Sequence, residues 1–149
     1  MNKTLLSVPL LAASLAAGPM HAADPSAKVL ARAEMPEGFV VGSGDPPLGL
    51  LVELEGEGVG ASAAAAPSAA NVLASGVAGD GEATLSIRHD LEVSLKFDLY
   101  VSEDGERFRY ASSCAVTPGI SSFELWQHPV RAFALGNPRV VDAGKLACD

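Results

Sequence analysis

Between Val93 and Val101 every second residue is apolar, and the run closes on Glu103-Asp104-Gly105-Glu106. Val93, Leu95, Phe97, Leu99 and Val101 share one parity, while Glu92, Ser94, Lys96, Asp98 and Tyr100 share the other. A period of two marks a strand with one face buried, because successive side chains leave a strand on opposite faces. Asp-Gly after such a run signals a tight hairpin, since both residues tolerate the positive φ that a two-residue loop demands. With Asp104 and Gly105 as the loop, Val101 pairs with Phe108, Leu99 with Tyr110, Phe97 with Ser112 and Leu95 with Cys114. This register sets the apolar parity of one strand against that of the other and leaves Tyr100 and Ser102 on the solvent face beside Arg109 and Arg107. A slip of one residue would separate the two apolar sets.

Other strands announce themselves in the same way. Leu48, Leu50, Val52 and Leu54 alternate with Glu53 and Glu55, between Pro46-Pro47 and glycines 56, 58 and 60. Ser121 to Gln127 and Val130 to Leu135 read as strands separated by Pro129, and Gly136-Asn137-Pro138 reads as a turn into a short strand at Arg139 to Val141. Short strands with turn signals at this spacing predict an all-β chain: an antiparallel β-sandwich, immunoglobulin-like as the first choice, or a small barrel. Residues 61–81 are rich in Ala, Ser and Gly and hold few large apolar side chains. They read as a flexible loop, with a short helix from Ser68 to Leu73 as the alternative.

The N-terminus constrains location. Lys3, the apolar stretch from Leu5 to Ala17 and the small residues of Met20-His21-Ala22-Ala23 predict a cleavable secretory signal over residues 1–23, cut near Ala22 or Ala23. The apolar run is about 13 residues, where spanning a bilayer takes about 20, so no membrane insertion is expected. Residues 24–149 then make one β-rich domain, periplasmic or secreted. Cys114 and Cys148 are the only two cysteines. In an exported chain an even pair predicts a disulfide, here one that pins the C-terminus, with Cys114 on the core side of its strand. A net charge of −8 repels nucleic acid and anionic lipid, which removes both as partners.

Catalytic and metal motifs are scarce. His89, beside Asp90, reads as an exposed residue at a turn between two strands, and His128, before Pro129, as an edge or corner residue. No Gly-x-Ser-x-Gly elbow and no nucleophile with an adjacent base can be found, so the chain is not expected to be an enzyme. Glu53, Glu55 and Glu57 form a carboxylate row that reads as a solvated strand face rather than a calcium site. The glycines at 56, 58 and 60 lack the Lys of a phosphate loop. No metal and no cofactor are therefore expected.

A recognition surface remains. Trp126 is the only tryptophan, and its parity is opposite to that of Phe123 and Leu125. Together with His128 it forms one candidate corner, and Tyr100, Arg107 and Arg109 form a second on the solvent side of the hairpin; Trp, Tyr and Arg are the residues enriched at binding surfaces. The expectation is an exported, non-enzymatic β-domain, monomeric or weakly oligomeric, that binds a protein or small ligand through these residues. The alternative is a structural subunit of a surface or pilus-like assembly joined by strand addition, with the N-terminal extension up to residue 36 as the free donor.

Overall fold

The computed structural model describes residues 29–56, 58–111, 113–142 and 148, so the predicted leader at 1–23 and the predicted pairing of Ser112 lie outside the described residues. Ten strands follow in order: β1 (Val29–Ala31), β2 (Val40–Gly42), β3 (Leu48–Glu55), β4 (Gly58–Ala63), β5 (Val72–Val77), β6 (Ala83–His89), β7 (Ser94–Ser102), β8 (Arg107–Ala111), β9 (Ser122–Trp126) and β10 (Ala132–Val141). They form two antiparallel five-stranded sheets, ordered β1-β8-β7-β10-β2 and β4-β3-β5-β6-β9. The protein is an all-β sandwich. Among the described residues the only helical pieces are 3-10 turns at Arg32–Glu34 and Pro67–Ala69.

The alternating strands supply the core between the sheets. Leu50 and Val52 of β3, Leu85 and Ile87 of β6, and Leu95, Phe97 and Leu99 of β7 are each at most 2 % exposed. At about 25 cal/mol per Å² of apolar surface removed from water, side chains of this size contribute about 1.5–3 kcal/mol each. β7 lies at the centre of its sheet and is covered on both faces: Ser94, Lys96 and Ser102, which the alternation assigns to solvent, are buried as well. What covers part of that second face is a separate apolar cluster. Phe108, Ala132 and Ala134 are buried there beneath Met35, Phe39, Val41 and Tyr100.

That second cluster corrects the predicted hairpin. Leu99 pairs with Ala111, Tyr100 with Tyr110 and Val101 with Arg109, a register one residue away from the expected one. The cause is the side chain of Asp104. Its Oδ1 accepts from the Glu106 and Arg107 backbone N–H groups and from the Ser102 hydroxyl, its Oδ2 accepts from Arg107 Nε, and only Gly105 takes a positive φ, +83°. Asp104 thus caps a wider turn instead of sitting within a two-residue one. Because one residue of slip moves a whole strand to the other face, Phe108 goes to the outer cluster with Tyr100, and Arg107 and Arg109 turn to the inner side with Val101. The disulfide forms as expected, Cys114 to Cys148 across a separation of 34 residues. Cys114, however, lies beyond the end of β8, half-buried, and Leu95 bridges to Val116 instead.

Three further expectations change. Residues 61–81 are not one open loop: β4 ends there at Ala63, and β5 (Val72–Val77) runs through the middle of its sheet between β3 and β6. Small residues serve close packing at this point, since a Cβ on Gly76 would fall on the Thr84 carbonyl oxygen and Gly44 lies against the Gly76 backbone. Gly136-Asn137-Pro138 is a bulge within β10, not a turn between strands; the register with β7 shifts there, and Asn137 takes φ +48° while its amide donates to Asp98 Oδ2. His89 is 4 % exposed rather than an open turn residue. It ends β6 on the inward parity, where its Nε2 lies 2.9 Å from the Val116 carbonyl and, facing an acceptor, carries the proton.

The N-terminal segment is used by the fold itself. β1 pairs with β8, Leu30 opposite Phe108, and the Arg32 backbone N–H and side chain bond the carbonyls of Glu106 and Gly105. Residues 29–35 are therefore held by the hairpin and the outer cluster, which removes most of the free donor that the alternative reading needs.

A candidate binding cleft at the open edge of the sandwich

The register of β8 decides what the molecule presents at one side. There the inner face of β8 and the neighbouring edge strand β1 stand opposite β9, the edge of the other sheet. The gap between them is a cleft of about 840 Å³, lined among others by Arg107 and Arg109 from β8, Glu124 and Trp126 from β9, and His128. Ligand sites are concavities of this size with a few convergent polar groups.

Two contacts fix the level of the walls. At one end His128 Nδ1 lies 3.9 Å from Glu103 Oε1, beside the hairpin turn. At the other the Cys114 backbone N–H donates to Glu124 Oε1 at 3.2 Å. Trp126 lies in sequence between these two contacts and lines the same cleft as Arg109. The indole is half-buried and packs on Phe133, ring centroids 5.4 Å apart. It is anchored in the main core yet lines the cleft.

The electrostatics are uneven. Arg107 is tied at 2.8 Å to Asp104, whose carboxyl is held well below the usual range, chiefly by the Arg107 backbone N–H and then by its side chain. The Arg109 side chain makes no hydrogen bond or ion pair with any described residue. Burial raises the pKa of Glu124 from its ordinary value, opposed by the Cys114 N–H. Among the described residues, the cleft thus offers one uncommitted guanidinium, an aromatic wall and a half-buried carboxyl. Arg109 is suited to a planar anion, which it can bind through two parallel N–H groups.

Of the five residues singled out from sequence, four meet here: Trp126, His128, Arg107 and Arg109. Tyr100 does not. It lies on the far face of its sheet, edge-on to Phe39 and Tyr110 at 5.9 and 5.5 Å, and not beside Arg107 and Arg109 as the expected register had it. Burial first and Asp98 second raise its hydroxyl pKa. Glu124 was not among the five, although its place beside Trp126 on the inward parity of β9 is visible in the sequence. No group of three or more His, Cys, Asp or Glu side chains able to hold a metal occurs among the described residues.

No family model, curated protein or solved structure matches this chain. The functional reading therefore rests on the cleft itself. The disulfide suggests an oxidising compartment. No helix among the described residues is long and apolar enough to cross a membrane.

Proposed function

We propose that this chain is an exported, non-enzymatic binding domain, released into the periplasm or medium by removal of residues 1–23, whose ligand seats in the cleft between β8 and β9. The observation that carries the reading is Arg109, a guanidinium without a protein partner among the described residues, set in a concavity beside the chain's one tryptophan. A charge held for structure would be expected to have a partner, as Arg107 has Asp104 and Arg139 has Asp98 at 2.8 Å. The non-enzymatic part of the reading is supported by the two histidines: His89 is committed to the Val116 carbonyl inside the core, and His128 Nδ1 lies 3.1 Å from the Pro129 carbonyl. Among the described residues neither makes a hydrogen bond to a serine or cysteine side chain, as activation of a nucleophile requires.

Trp126 is its own reporter. Small carboxylates, amino acids, sugars and short peptides are titrated against the folded protein while its intrinsic fluorescence is followed. Arg109→Ala, at an exposed position, is expected to keep the fold and lose the response to anionic ligands. The reading fails if no compound moves the emission, or if every compound that does so acts equally on Arg109→Ala.

A further inference from the structure

We propose that the ligand is an extended peptide segment that adds as a strand to the open edge of β9, with apolar side chains at alternate positions and an acidic side chain between them. This deepens the cleft reading and rests on it.

β9 pairs with β6 on one side only, so its other edge presents backbone N–H and C=O groups with no strand beside them among the described residues. Natural proteins guard such edges with short strands, outward charges or covering loops, because an open edge recruits another chain. β1 and β2, the edges of the facing sheet, have three residues each. β9 has five, and its outward side chains are the reverse of guarded: Phe123 is 76 % and Leu125 57 % exposed. Leu125 continues across the sheet through Thr84 to Val77, which is 66 % exposed. Large apolar groups clustered on the surface in this way point to a contact site.

A strand laid along β9 meets both features at once. Strand geometry sends its alternate side chains to opposite faces. The outward set then stands beside Phe123 and Leu125, at the cross-strand spacing where apolar pairs stabilise a sheet. The inward set enters the cleft, and the side chain opposite Trp126 enters the space that Arg109 lines. A carboxylate there accepts two parallel hydrogen bonds from the uncommitted guanidinium. Next to it, opposite Glu124, a neutral hydrogen-bonding side chain avoids a like-charge pair.

The same geometry argues against a second copy of this chain as the occupant. Antiparallel pairing of β9 with itself about its central residue sets Glu124 against its own counterpart, and like charges directly opposed destabilise a sheet. The net charge of −8 adds repulsion between copies. The occupant is a different chain whose acidic side chain answers Arg109.

The test uses the full disulfide-bonded protein and the blocked peptide acetyl-Val-Asp-Val-Thr-Val-amide, followed by Trp126 fluorescence and by amide NMR. The expected result is a saturable change in emission with new exchange protection confined to β9. Affinity should fall about tenfold or more when the peptide Asp becomes Asn, and likewise in Arg109→Ala. Methylating the peptide amides on the edge facing β9 should abolish binding without touching the protein. The proposal is overturned if the methylated peptide binds as well as the parent, if Phe123 and Leu125 amides are unaffected, or if the parent peptide gives no saturable response. A small carboxylate that binds where the peptide does not would retain the cleft and remove strand addition; silence from every compound removes both.

Discussion

Replacing Phe108 by Ala tests the hairpin register, on which the composition of the cleft depends. Phe108 is fully buried on the outer face of its sheet, in the cluster containing Phe39, Ala132 and Ala134. Removing a phenyl ring from such a site costs about 3–5 kcal/mol in lost transfer energy and residual cavity. Set against a total stability of about 5–15 kcal/mol, that is a large fraction. With a urea dependence of about 2 kcal/mol per molar, the unfolding midpoint should drop by about 2 M. Size alone does not identify the face, so the decisive form is a double-mutant cycle. Phe108→Ala combined with Phe39→Ala should show a coupling of about 0.5–3 kcal/mol, because both line one cluster. Combined with Leu85→Ala, across the sheet in the main core, it should be additive to within about 0.5 kcal/mol. Coupling to Leu85 and none to Phe39 would refute the reasoning: Phe108 would then point inward, and Arg107 and Arg109 would lie on the outer face with Tyr100.

Three shorter predictions follow from other parts of the structure. Cys114→Ser with Cys148→Ser opens a 34-residue separation and should lower the unfolding free energy by about 3–4 kcal/mol in urea melts under non-reducing conditions. Glu124→Gln keeps an acceptor for the Cys114 N–H and removes a carboxyl whose pKa burial raises above 4.5. A raised folded pKa means that Glu124 favours the fold below its unfolded pKa and loses that contribution as pH rises through the folded value. The Gln variant should therefore gain on the parent as pH climbs above the ordinary carboxyl range and match it below about pH 4; a parent that is the more stable at neutral pH would mean a cationic partner for Glu124. Gly76→Ala should cost at least about 2 kcal/mol by thermal melting, since the new methyl meets the Thr84 carbonyl and the Leu85 side chain.

The strands were legible because the sequence alternates, and the sandwich because the strands are many and short. Leu50, Val52, Phe97 and Leu99 are buried on the parity that the pattern assigns them. The face of β8 was not legible. Its apolar parity, Phe108 and Tyr110, fits either side of the sheet, and the choice lies with four hydrogen bonds to the Asp104 carboxylate, which no periodicity encodes. β5 was hidden for a different reason. Its inward residues are Val72 and Ala74, and a buried Ala next to glycines that admit a neighbouring backbone gives no hydrophobic signal. His89 looked solvent-bound because Asp90 follows it, yet its own parity continues that of Leu85 and Ile87 into the core.

The binding residues show the same division. Trp126 and His128 were visible as an aromatic corner, and Arg107 and Arg109 as an arginine pair on one strand face. That the two sets share one cleft is a consequence of the slipped register and of β8 and β9 bordering the same open side. Tyr100 drew attention as a surface aromatic, and the segment from Met35 to Phe39 packs against it instead. That segment had no strand or helix signal to foretell its path.

Cross-strand nuclear Overhauser effects between β7 and β8 test the central claim most directly. Contacts joining the backbones of Tyr100 and Tyr110, and of Leu99 and Ala111, are what the slipped register requires, with Arg107 and Arg109 facing Trp126. Contacts joining Tyr100 to Arg109 and Val101 to Phe108 would contradict it and empty the cleft of its cations.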